Sequence, residues 1–338
     1  MEQKYYLAEH RNADICRKSS SGGAFTAITD SWFSEYGARA VVYGCVLDES
    51  MTARHSRAET PAQRDAMRGS KYIGSDMSGI MRKVAQDITD GKYVVFSGTP
   101  CQVSGLKSFL SVKGIACEGR LLTIEVICHG VGSVRYFKDY IAAYEEKYGS
   151  RVVECTFRGK RRIGKRAQMV LTFENSKEYQ SPAARYDGFY SAYSGNYILR
   201  PSCFQCRYAQ QTRFADISIG DNWAVISGSQ QRSSLIISNS QHGDCWIRRS
   251  LNEMNYVETS IECSDQPNMR QPSRKPDNYK RFWTVYQEGG YRCVQDILGN
   301  TAPKARVIHT ALRVIYQLHF DDLSRKLAAF FKRSRRGV

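Results

Sequence analysis

The sequence predicts a mixed α/β protein with a central mixed sheet, flanking helices, two lobes and a C-terminal helical extension. Two apolar runs rich in β-branched and aromatic residues, 92–97 and 121–127, are typical of short buried strands. Each run is followed by a turn and then by a helical pattern, over residues 102–110 and 133–148. Successive strand–turn–helix units favour parallel neighbouring strands, whose C-terminal ends meet at one edge of the sheet.

Further predicted elements flank these two units. Residues 24–32 form an apolar helical stretch, and residues 151–157 and 214–220 have the composition of strands. A polar connector over residues 264–277 holds three of the eight prolines and marks a boundary. We therefore predict three regions: an N-terminal lobe (1–90), a second lobe (91–263), and a linker with a basic helical tail (264–338).

The tail has an amphipathic pattern. Apolar residues recur at helical spacing over residues 307–318 and 323–331, and the basic segment 332–336 follows. Such a helix can bind an anionic membrane surface or a partner protein, or it can pack on its own domain. Charged residues interrupt every apolar run well short of the ~20 residues that a bilayer crossing needs. Any membrane contact of the tail is therefore expected to be peripheral.

Composition limits the class of protein. The 338 residues are 42% hydrophobic and carry a formal net charge of +16 and 11 cysteines, which suits a globular enzyme. Residues 1–14 are too polar for a signal peptide, and free cysteines suit a reducing compartment. We therefore expect a cytoplasmic protein, with the inner face of the membrane as a candidate peripheral site.

The basic loop over residues 158–166 is the densest local charge. It is expected to bind an anionic small molecule, a phosphorylated sugar or an acidic carrier protein, or to be solvated. The basic segments are distant from one another and no recognised nucleic-acid motif joins them. No nucleic-acid partner is therefore expected.

Four cysteines occupy positions suited to a soft metal centre. Cys101 and Cys128 follow the two predicted strands, so their thiols are expected to point into one crevice at the sheet edge. Cys203 and Cys206 form a C-x-x-C pair that can supply two more thiolates. Structural cysteines, a redox dithiol and half of a zinc site remain alternatives. Zinc ribbons use two C-x-x-C pairs and this chain has one, which favours an iron–sulfur cluster.

Motifs of competing catalytic classes are missing from the sequence. It has no G-x-G-x-x-G after a strand, no nucleophile elbow and no H-E-x-x-H. His55, His242, His309 and His319 are scattered, and no function is assigned to them. A bound flavin would need a scheme different from the usual dinucleotide fingerprint.

Six separated segments resemble the coenzyme F420 hydrogenase/dehydrogenase beta-subunit family, in that family's order, between about residues 16 and 250. They are residues 20–26, 68–72, 96–102, 127–131, 157–160 and 203–223. The resemblance implies a flavin-dependent iron–sulfur oxidoreductase in which FAD lies beside a [4Fe-4S] cluster. It also implies that the cluster ligands are Cys101, Cys128, Cys203 and Cys206.

Candidate flavin contacts combine the resemblance with local chemistry. They are Ser21, Gly22, Gly23, Ser70, Lys71, Tyr72, Ser97, Gly98, Thr99, Gln102, His129, Asp221 and Trp223. Residues 19–23 can cap the following helix and hold a phosphate at its positive end, or serve only as an N-cap. Lys71 can face a diphosphate or the anionic edge of a reduced flavin, and His129 can relay a proton. Lys71 and His129 are the candidate catalytic residues, with a solvated loop and a structural histidine as the alternatives.

Two departures from the family pattern refine the expectation. The chain starts almost directly at its Ser-Gly-Gly motif, whereas members often begin with a ferredoxin-like region, so one cluster and a separate electron donor are expected. Residues 220–224 differ from the family's Gly-Asp-Phe-Trp-Gly segment, which puts the family's substrate in doubt for this chain more than the cluster. The resemblance implies a ferredoxin or deazaflavin-type donor, with coenzyme F420 as a candidate substrate. It also implies a role in polysaccharide biosynthesis, because many bacterial relatives are associated with polysaccharide genes.

The leading interpretation is thus an enzyme, an oxidoreductase that passes electrons between an external donor and an unidentified substrate through FAD and one [4Fe-4S] cluster. A non-catalytic electron-relay or adaptor subunit of a larger complex is the first alternative. A zinc-bearing nucleic-acid module is the weakest, because the basic residues are split between distant segments.

Overall fold

A computed structural model of the chain describes residues 2–159, 168–181, 187–222, 233–262 and 266–299. These residues form two compact units, each built from separate parts of the chain. The first unit consists of Met1–Ser133 and Leu199–Arg274, and the second of Val134–Ile198 with the described residues from Lys275 onward. This division differs from the predicted regions 1–90, 91–263 and 264–338. As functional regions, those three ranges stay a prediction.

The described strands belong to two sheets. They are β1 (Lys4–His10), β2 (Ala40–Leu47), β3 (Ala53–Ala58), β4 (Tyr93–Gly98), β5 (Leu121–Val126), β6 (Val152–Gly159), β7 (Gln168–Phe173), β8 (Glu178–Gln180), β9 (Ile217–Asp221), β10 (Ser234–Ser238) and β11 (Met254–Thr259). An eight-stranded sheet in the first unit has the order β11-β1-β10-β9-β5-β4-β2-β3, and the second unit holds the three-stranded sheet β6-β7-β8.

The eight-stranded sheet is mixed, as the sequence predicts. Strands β2, β4, β5 and β9 are parallel neighbours. Antiparallel strands extend both sides, with β3 next to β2, and β10, β1 and β11 beyond β9. The predicted strands 92–97 and 121–127 are confirmed as β4 and β5, which pair in parallel with Val94 opposite Leu121. Their C-terminal ends therefore lie side by side.

The described helices are α1 (Ala13–Lys18), α2 (Ala24–Tyr36), α3 (Pro61–Asp65), α4 (Ile80–Thr89), α5 (Pro100–Val112), α6 (Val134–Tyr148), α7 (Gly188–Ser194), α8 (Gln241–Ser250) and α9 (Tyr279–Cys293). The predicted helices over residues 24–32, 102–110 and 133–148 are confirmed as α2, α5 and α6. In α9, Gly290 has a φ of 71° and interrupts the helical backbone.

Helices cover both faces of the large sheet. Val95 of β4 packs in a core that includes Trp32 of α2 and Trp246 of α8. Its neighbours Val94 and Phe96 pack in a second core with residues of α4 and α5. Alternate residues of a strand face opposite sides of the sheet, so the side chains on both faces of β4 are buried. This burial explains why β4 and β5 are recognisable in the sequence as nearly continuous apolar runs.

The second unit is rich in aromatic side chains. Tyr140 and Tyr179 donate hydrogen bonds to Asp187 Oδ2 at 2.9 and 3.0 Å, and the amides of Phe189 and Tyr190 donate to Oδ1 at 3.0 and 2.9 Å. Asp187 thus caps α7 while every donor to it comes from within the unit. Burial raises the pKa of this carboxyl to about 6. The four hydrogen bonds explain how a fully buried acid is accommodated.

Some predicted features lie outside the described residues. They are Trp223, the tail helices over residues 307–318 and 323–331, and the basic loop from residue 160 to residue 166. Within the described part of the chain, none of the helices combines the length and the apolar character needed to cross a bilayer.

Candidate functional site

The first two candidate thiols follow the neighbouring ends of β4 and β5. Pro100 starts α5 and Cys101 lies in its first turn, after a capping box formed by Thr99 and Gln102. The Cys101 side chain is exposed, and its Sγ lies 3.1 Å from Thr99 Oγ1. Cys128 lies two residues beyond the end of β5. Because β4 and β5 are parallel neighbours, both cysteines are placed at the same edge of the sheet.

The C-x-x-C segment is bonded to the turn that follows Cys128. Cys203 lies in a short 3-10 turn, Pro201–Gln205. The Val131 amide donates to Cys203 Sγ at 3.4 Å, and the Arg200 amide donates to the Val131 carbonyl at 2.8 Å. These two contacts link the chain near Cys128 to the chain near Cys203, although 75 positions separate the two cysteines in the sequence, as their residue numbers show.

A small ribbon of three segments lies beside this link. Gly132 forms a parallel bridge with Ile73 and an antiparallel bridge with Leu199. Gly130 has a φ of 148°, and a Cβ placed on it would lie 2.8 Å from Leu199 Cδ1. Glycine is favoured there because L-residues rarely adopt this backbone conformation, and an added side chain would also force Leu199 to shift. The ribbon thus brings the Arg68–Tyr72 segment, the turn after Cys128 and the C-x-x-C segment together.

The four thiols interact electrostatically. The pKa of Cys128 is raised to about 12, mainly by burial and to a smaller extent by charge repulsion from nearby Cys203, Cys101 and Cys206. Burial likewise raises the pKa of Cys203, with smaller contributions from Cys206 and Cys101. The four sulfur atoms therefore share one region of the first unit. A bound metal centre would have to displace the thiol protons, because thiolates are the ligating form.

The spacing of the thiols is not that of a single-ion site. Within the described ranges, no group of three or more His, Cys, Asp or Glu side chains is arranged to hold one metal ion. In a four-iron cluster each thiolate binds a different iron, so the ligand sulfur atoms stand farther apart than around a single ion. The four thiols lie near enough to influence one another, but they are not arranged around a single ion. This arrangement is consistent with a four-iron cluster as the bound group. The assignment of these cysteines as cluster ligands stays a prediction.

The serine-rich segment before α2 meets two other candidate segments. The Ser70 amide donates to Ser20 Oγ at 2.7 Å, and the Ser21 hydroxyl donates to the Asp221 carboxylate. Gly23 is the N-cap of α2 with a φ of 89°, and no side chain caps the helix. Residues 19–23 thus supply the N-cap, Gly23, but no serine hydroxyl caps α2, because the hydroxyls of Ser20 and Ser21 contact residues 70 and 221 instead. The leading amides of α2 are left without a side-chain acceptor, which suits an anion.

Gly22 has a packing role. Its amide donates to Ser234 Oγ at 2.9 Å, and a Cβ added to it would lie 2.2 Å from the Ala8 carbonyl oxygen. The absence of a side chain at this position therefore lets the segment approach β1 and β10.

The Lys71 ammonium group is held by the backbone. Its Nζ lies 2.9–3.2 Å from four carbonyl oxygens, among which its three N–H groups are shared; they belong to Cys45, Ala66, Met67 and Arg68. Burial lowers the pKa of Lys71 to about 8. These contacts are structural, since they tie the segment after α3 to β2. The assignment of Lys71 as a catalytic and flavin-binding residue stays a prediction.

His129 lies against the segment that the sequence places in the linker. Its Nδ1 is 3.3 Å from Asn268 Oδ1, and the Ser273 hydroxyl donates to the His129 carbonyl oxygen. Gln266 of the same segment donates to the Asp221 carbonyl oxygen at 2.5 Å. Residues 266–274 are thus part of the first unit and border two candidate site residues, His129 and Asp221.

Ser97, Thr99 and Gln102 belong to a network that sequence reasoning missed. The Thr99 amide donates to Gln102 Oε1 at 2.9 Å, and Gln102 Nε2 donates to Ser75 Oγ at 2.8 Å. His55 contacts both Ser75 and the Ser97 carbonyl. No motif marks His55 or Ser75, because the three segments that meet here are far apart in the sequence.

Comparisons with known proteins agree with this architecture. The family model for the C-terminal part of the coenzyme F420 hydrogenase/dehydrogenase beta subunit matches residues 91–262. One chain in a structure of the F420-reducing [NiFe] hydrogenase complex from Methanosarcina barkeri has a similar fold, with a TM-score of 0.52 and 17% identity. That likeness covers 86% of this chain and 93% of the other. No curated protein matches the sequence.

The fold and the matched segment define a redox class of protein, one related to the subunits of hydrogenases and dehydrogenases. The chain belongs to the coenzyme F420 hydrogenase/dehydrogenase beta-subunit family. The predicted fold class and the predicted family are both confirmed.

Proposed function

We propose that this chain is an oxidoreductase that holds one [4Fe-4S] cluster through Cys101, Cys128, Cys203 and Cys206, with FAD beside it. The observations that support the proposal are that β4 and β5 bring Cys101 and Cys128 to one edge of the sheet, that the Val131 amide donates to Cys203 Sγ, and that the other three thiols lie near enough to raise the pKa of Cys128. Four thiols are the usual protein ligands of such a cluster, so the donor set fits. When bound, the flavin can exchange a hydride and the cluster can exchange single electrons.

The protein's own groups would orient and stabilise the ligands. The Val131 amide donates to Cys203 Sγ, and Thr99 Oγ1 lies beside Cys101 Sγ. Both contacts stabilise negative charge on sulfur, and hydrogen bonds of this kind set cluster potentials. For the flavin, the uncapped start of α2 and the adjoining Ser20–Ser70 contact offer amides and hydroxyls to a diphosphate. His129 would be the proton relay at the cluster side.

The electron donor and the substrate are proposed by class. A ferredoxin or a deazaflavin-type donor would supply the electrons, with coenzyme F420 as a candidate substrate, as the family name suggests. An adaptor or electron-relay role is a second candidate, because the similar chain described above belongs to a multi-subunit complex. A cytoplasmic location, an anionic or sugar substrate and a role in polysaccharide biosynthesis belong to the same proposal.

Cofactor analysis of anaerobically purified protein tests the proposal. We expect iron and acid-labile sulfide in equal amounts, about four of each per chain, together with a flavin absorption band. The Cys203→Ser variant should lose iron, whereas Cys245→Ser should keep it, because Cys245 is exposed on α8 and does not contribute to the pKa of Cys128.

Three outcomes would contradict the proposal. A colourless protein with stoichiometric zinc would exclude the cluster. Loss of iron in both variants, or in neither, would show that the ligands are misassigned. Failure of reduced ferredoxin and of reduced deazaflavin to bleach the flavin would favour the adaptor role over the enzyme.

A further inference from the structure

A chain of hydrogen bonds connects a buried histidine to the candidate ligand Cys101. His55 lies on β3, is 5% exposed, and stacks on Phe96 with the ring centroids 5.4 Å apart. Its Nε2 is 3.0 Å from the Ser97 carbonyl oxygen, and its Nδ1 is 3.1 Å from Ser75 Oγ. Neither His55 nor Ser75 has a role in the proposed function described above.

The backbone fixes Ser75 beside this imidazole. The amide of His55 donates to the Asp76 carbonyl at 2.9 Å, and the amide of Asp76 donates to the Ala53 carbonyl at 2.9 Å. The segment that contains Ser75 is therefore attached to β3 on the side away from β2.

The direction of each hydrogen bond follows from one fixed acceptor. The Ser97 carbonyl can only accept, so His55 Nε2 carries the proton and Nδ1 accepts from the Ser75 hydroxyl. Ser75 Oγ in turn accepts from Gln102 Nε2. With its nitrogen committed to Ser75, the Gln102 amide presents Oε1 to Thr99. The Thr99 amide and the Ser75 hydroxyl thus hold the two ends of the Gln102 amide, and four successive hydrogen bonds connect His55 to Cys101.

Thr99 is the last group before the sulfur. Its Oγ1 lies 3.1 Å from Gln102 Oε1 and 3.1 Å from Cys101 Sγ, and it has a single proton to donate. Gln102 Oε1 already accepts the Thr99 amide at 2.9 Å. When Cys101 is a thiolate, its charged sulfur is the stronger acceptor, so the hydroxyl turns to it while the amide bond to Gln102 keeps Thr99 in place.

We propose that His55 and Ser75 are positioning residues that hold the Thr99 hydroxyl against the Cys101 sulfur and thereby raise the reduction potential of the cluster. The inference rests on the proposed function, since it requires Cys101 to be a cluster ligand. A hydrogen bond to a ligating sulfur stabilises the more negative, reduced state of a cluster. Removal of the relay should therefore make the cluster harder to reduce.

A redox titration of the holoprotein tests this role. We would measure the midpoint potential of the cluster and the iron content in wild type, Ser75→Ala, Ser75→Thr and Ser108→Ala. Ser75→Ala should keep its iron and shift to a lower potential, because the link between His55 and Gln102 is lost. Ser75→Thr, which keeps the hydroxyl, should restore the wild-type value. Ser108 is exposed on the same helix as Cys101, and Ser108→Ala should behave as wild type.

Iron content separates this inference from the proposed function. A wild-type protein without iron and sulfide overturns both. An iron-loaded wild type whose potential is unchanged in Ser75→Ala overturns the inference alone. Loss of iron in Ser75→Ala also overturns the inference, because the proposed role is to change the potential of a cluster that the protein retains. Imidazole ¹⁵N shifts provide a readout without redox chemistry: a His55 ring protonated at Nδ1 instead of Nε2 would contradict the direction of the chain.

Discussion

Gly22 is the residue at which the site depends most directly on the absence of a side chain. A Cβ at this position would lie 2.2 Å from the Ala8 carbonyl oxygen and 2.7 Å from the Ser234 nitrogen. Both are backbone atoms of β-strands, so they cannot move aside as a flexible side chain would. The candidate flavin segment around Ser20 and Ser21 is held in place by this close approach.

We therefore expect Gly22→Ala to destabilise the protein by about 1–3 kcal/mol, the usual cost of overpacking, and to weaken flavin retention. Urea unfolding and the flavin content of the purified protein measure the two effects. Gly105→Ala is the matched control, since its Cβ would make ordinary contact, 3.4 Å from Met81 Cε, inside α5. Equal stability of the two variants would show that the segment can relax around Gly22.

His55 also gives the protein a defined pH dependence. Burial lowers its pKa to about 4, below the value of 6.5 expected for an unfolded chain. The unfolded chain then binds more protons between these two pH values, so this residue makes stability rise with pH across that window. Acidification from neutral pH to about pH 4 should cost on the order of 3 kcal/mol through this residue.

Urea unfolding of wild type and His55→Gln at several pH values checks this expectation. Glutamine cannot be protonated, so the variant should lose less stability than wild type as the pH falls from 7 to about 4. His242→Gln is the comparison: burial also lowers the pKa of His242, but the ring is less buried. If the acid sensitivity of His55→Gln equals that of wild type, the imidazole is not a buried neutral group.

At the scale of elements, a buried ion pair joins β5 to the chain after the C-x-x-C. Arg213 and Glu125 form a salt bridge with side chains 1% and 0% exposed. Arg213 also donates to the Gln210 carbonyl at 2.9 Å, and Ser218 of β9 donates to Glu125 at 2.8 Å. Glu125 precedes Cys128 by three positions, so the pair fixes the chain near Cys206 to the strand that leads to Cys128.

Arg213→Met should destabilise the protein by about 3–5 kcal/mol, because Glu125 would be left buried and unpaired, and it should lower iron retention. The double variant Arg213→Met/Glu125→Gln should recover part of that loss. The exposed pair Arg292–Glu146, with side chains 67% and 69% exposed, provides the control. Arg292→Met should cost at most about 1 kcal/mol, and a similar cost at both sites would mean that solvent reaches the Arg213 pair.

At the scale of the whole molecule, the net charge of +16 favours association with acidic proteins. If the electron donor is an acidic redox protein, its reduction of this chain should slow about tenfold or more as salt is raised. Stopped-flow reduction with an acidic ferredoxin measures the effect, and a basic redox protein is the control, for which added salt should accelerate the reaction. If the rate with the acidic ferredoxin does not depend on salt, charge attraction does not drive the association of this chain with its donor.

Local patterns in the sequence predict the elements that carry the first two thiols. β4 and β5 are predictable because parallel strands buried on both faces are nearly continuous apolar runs, and α5 and α6 have clear helical spacing. The four candidate ligands are predictable for a similar reason: thiols after strands and in a C-x-x-C pair have local signatures. The parallel pairing of β4 with β5 follows from their succession along the chain.

Other features could not be predicted in this way. The His55–Ser75 pair and the Arg213–Glu125 pair join segments that are far apart in the sequence, and the chain has no local signal for either contact. The contacts of residues 266–274 could not be predicted for the same reason, since their polar and proline-rich composition indicates a loop but not the Asn268 and Ser273 contacts with His129.

The amino-acid sequence by itself determined the fold class, the family and the identity of the candidate ligands, because periodicity and short motifs are properties of neighbouring residues. Only the tertiary structure decided that Lys71 is bound by backbone carbonyls, that serine hydroxyls contact Ser70 and Asp221 instead of capping α2, and that a buried imidazole is linked to Cys101. The physical reason is that burial and hydrogen-bond partners depend on which distant segments meet when the chain folds.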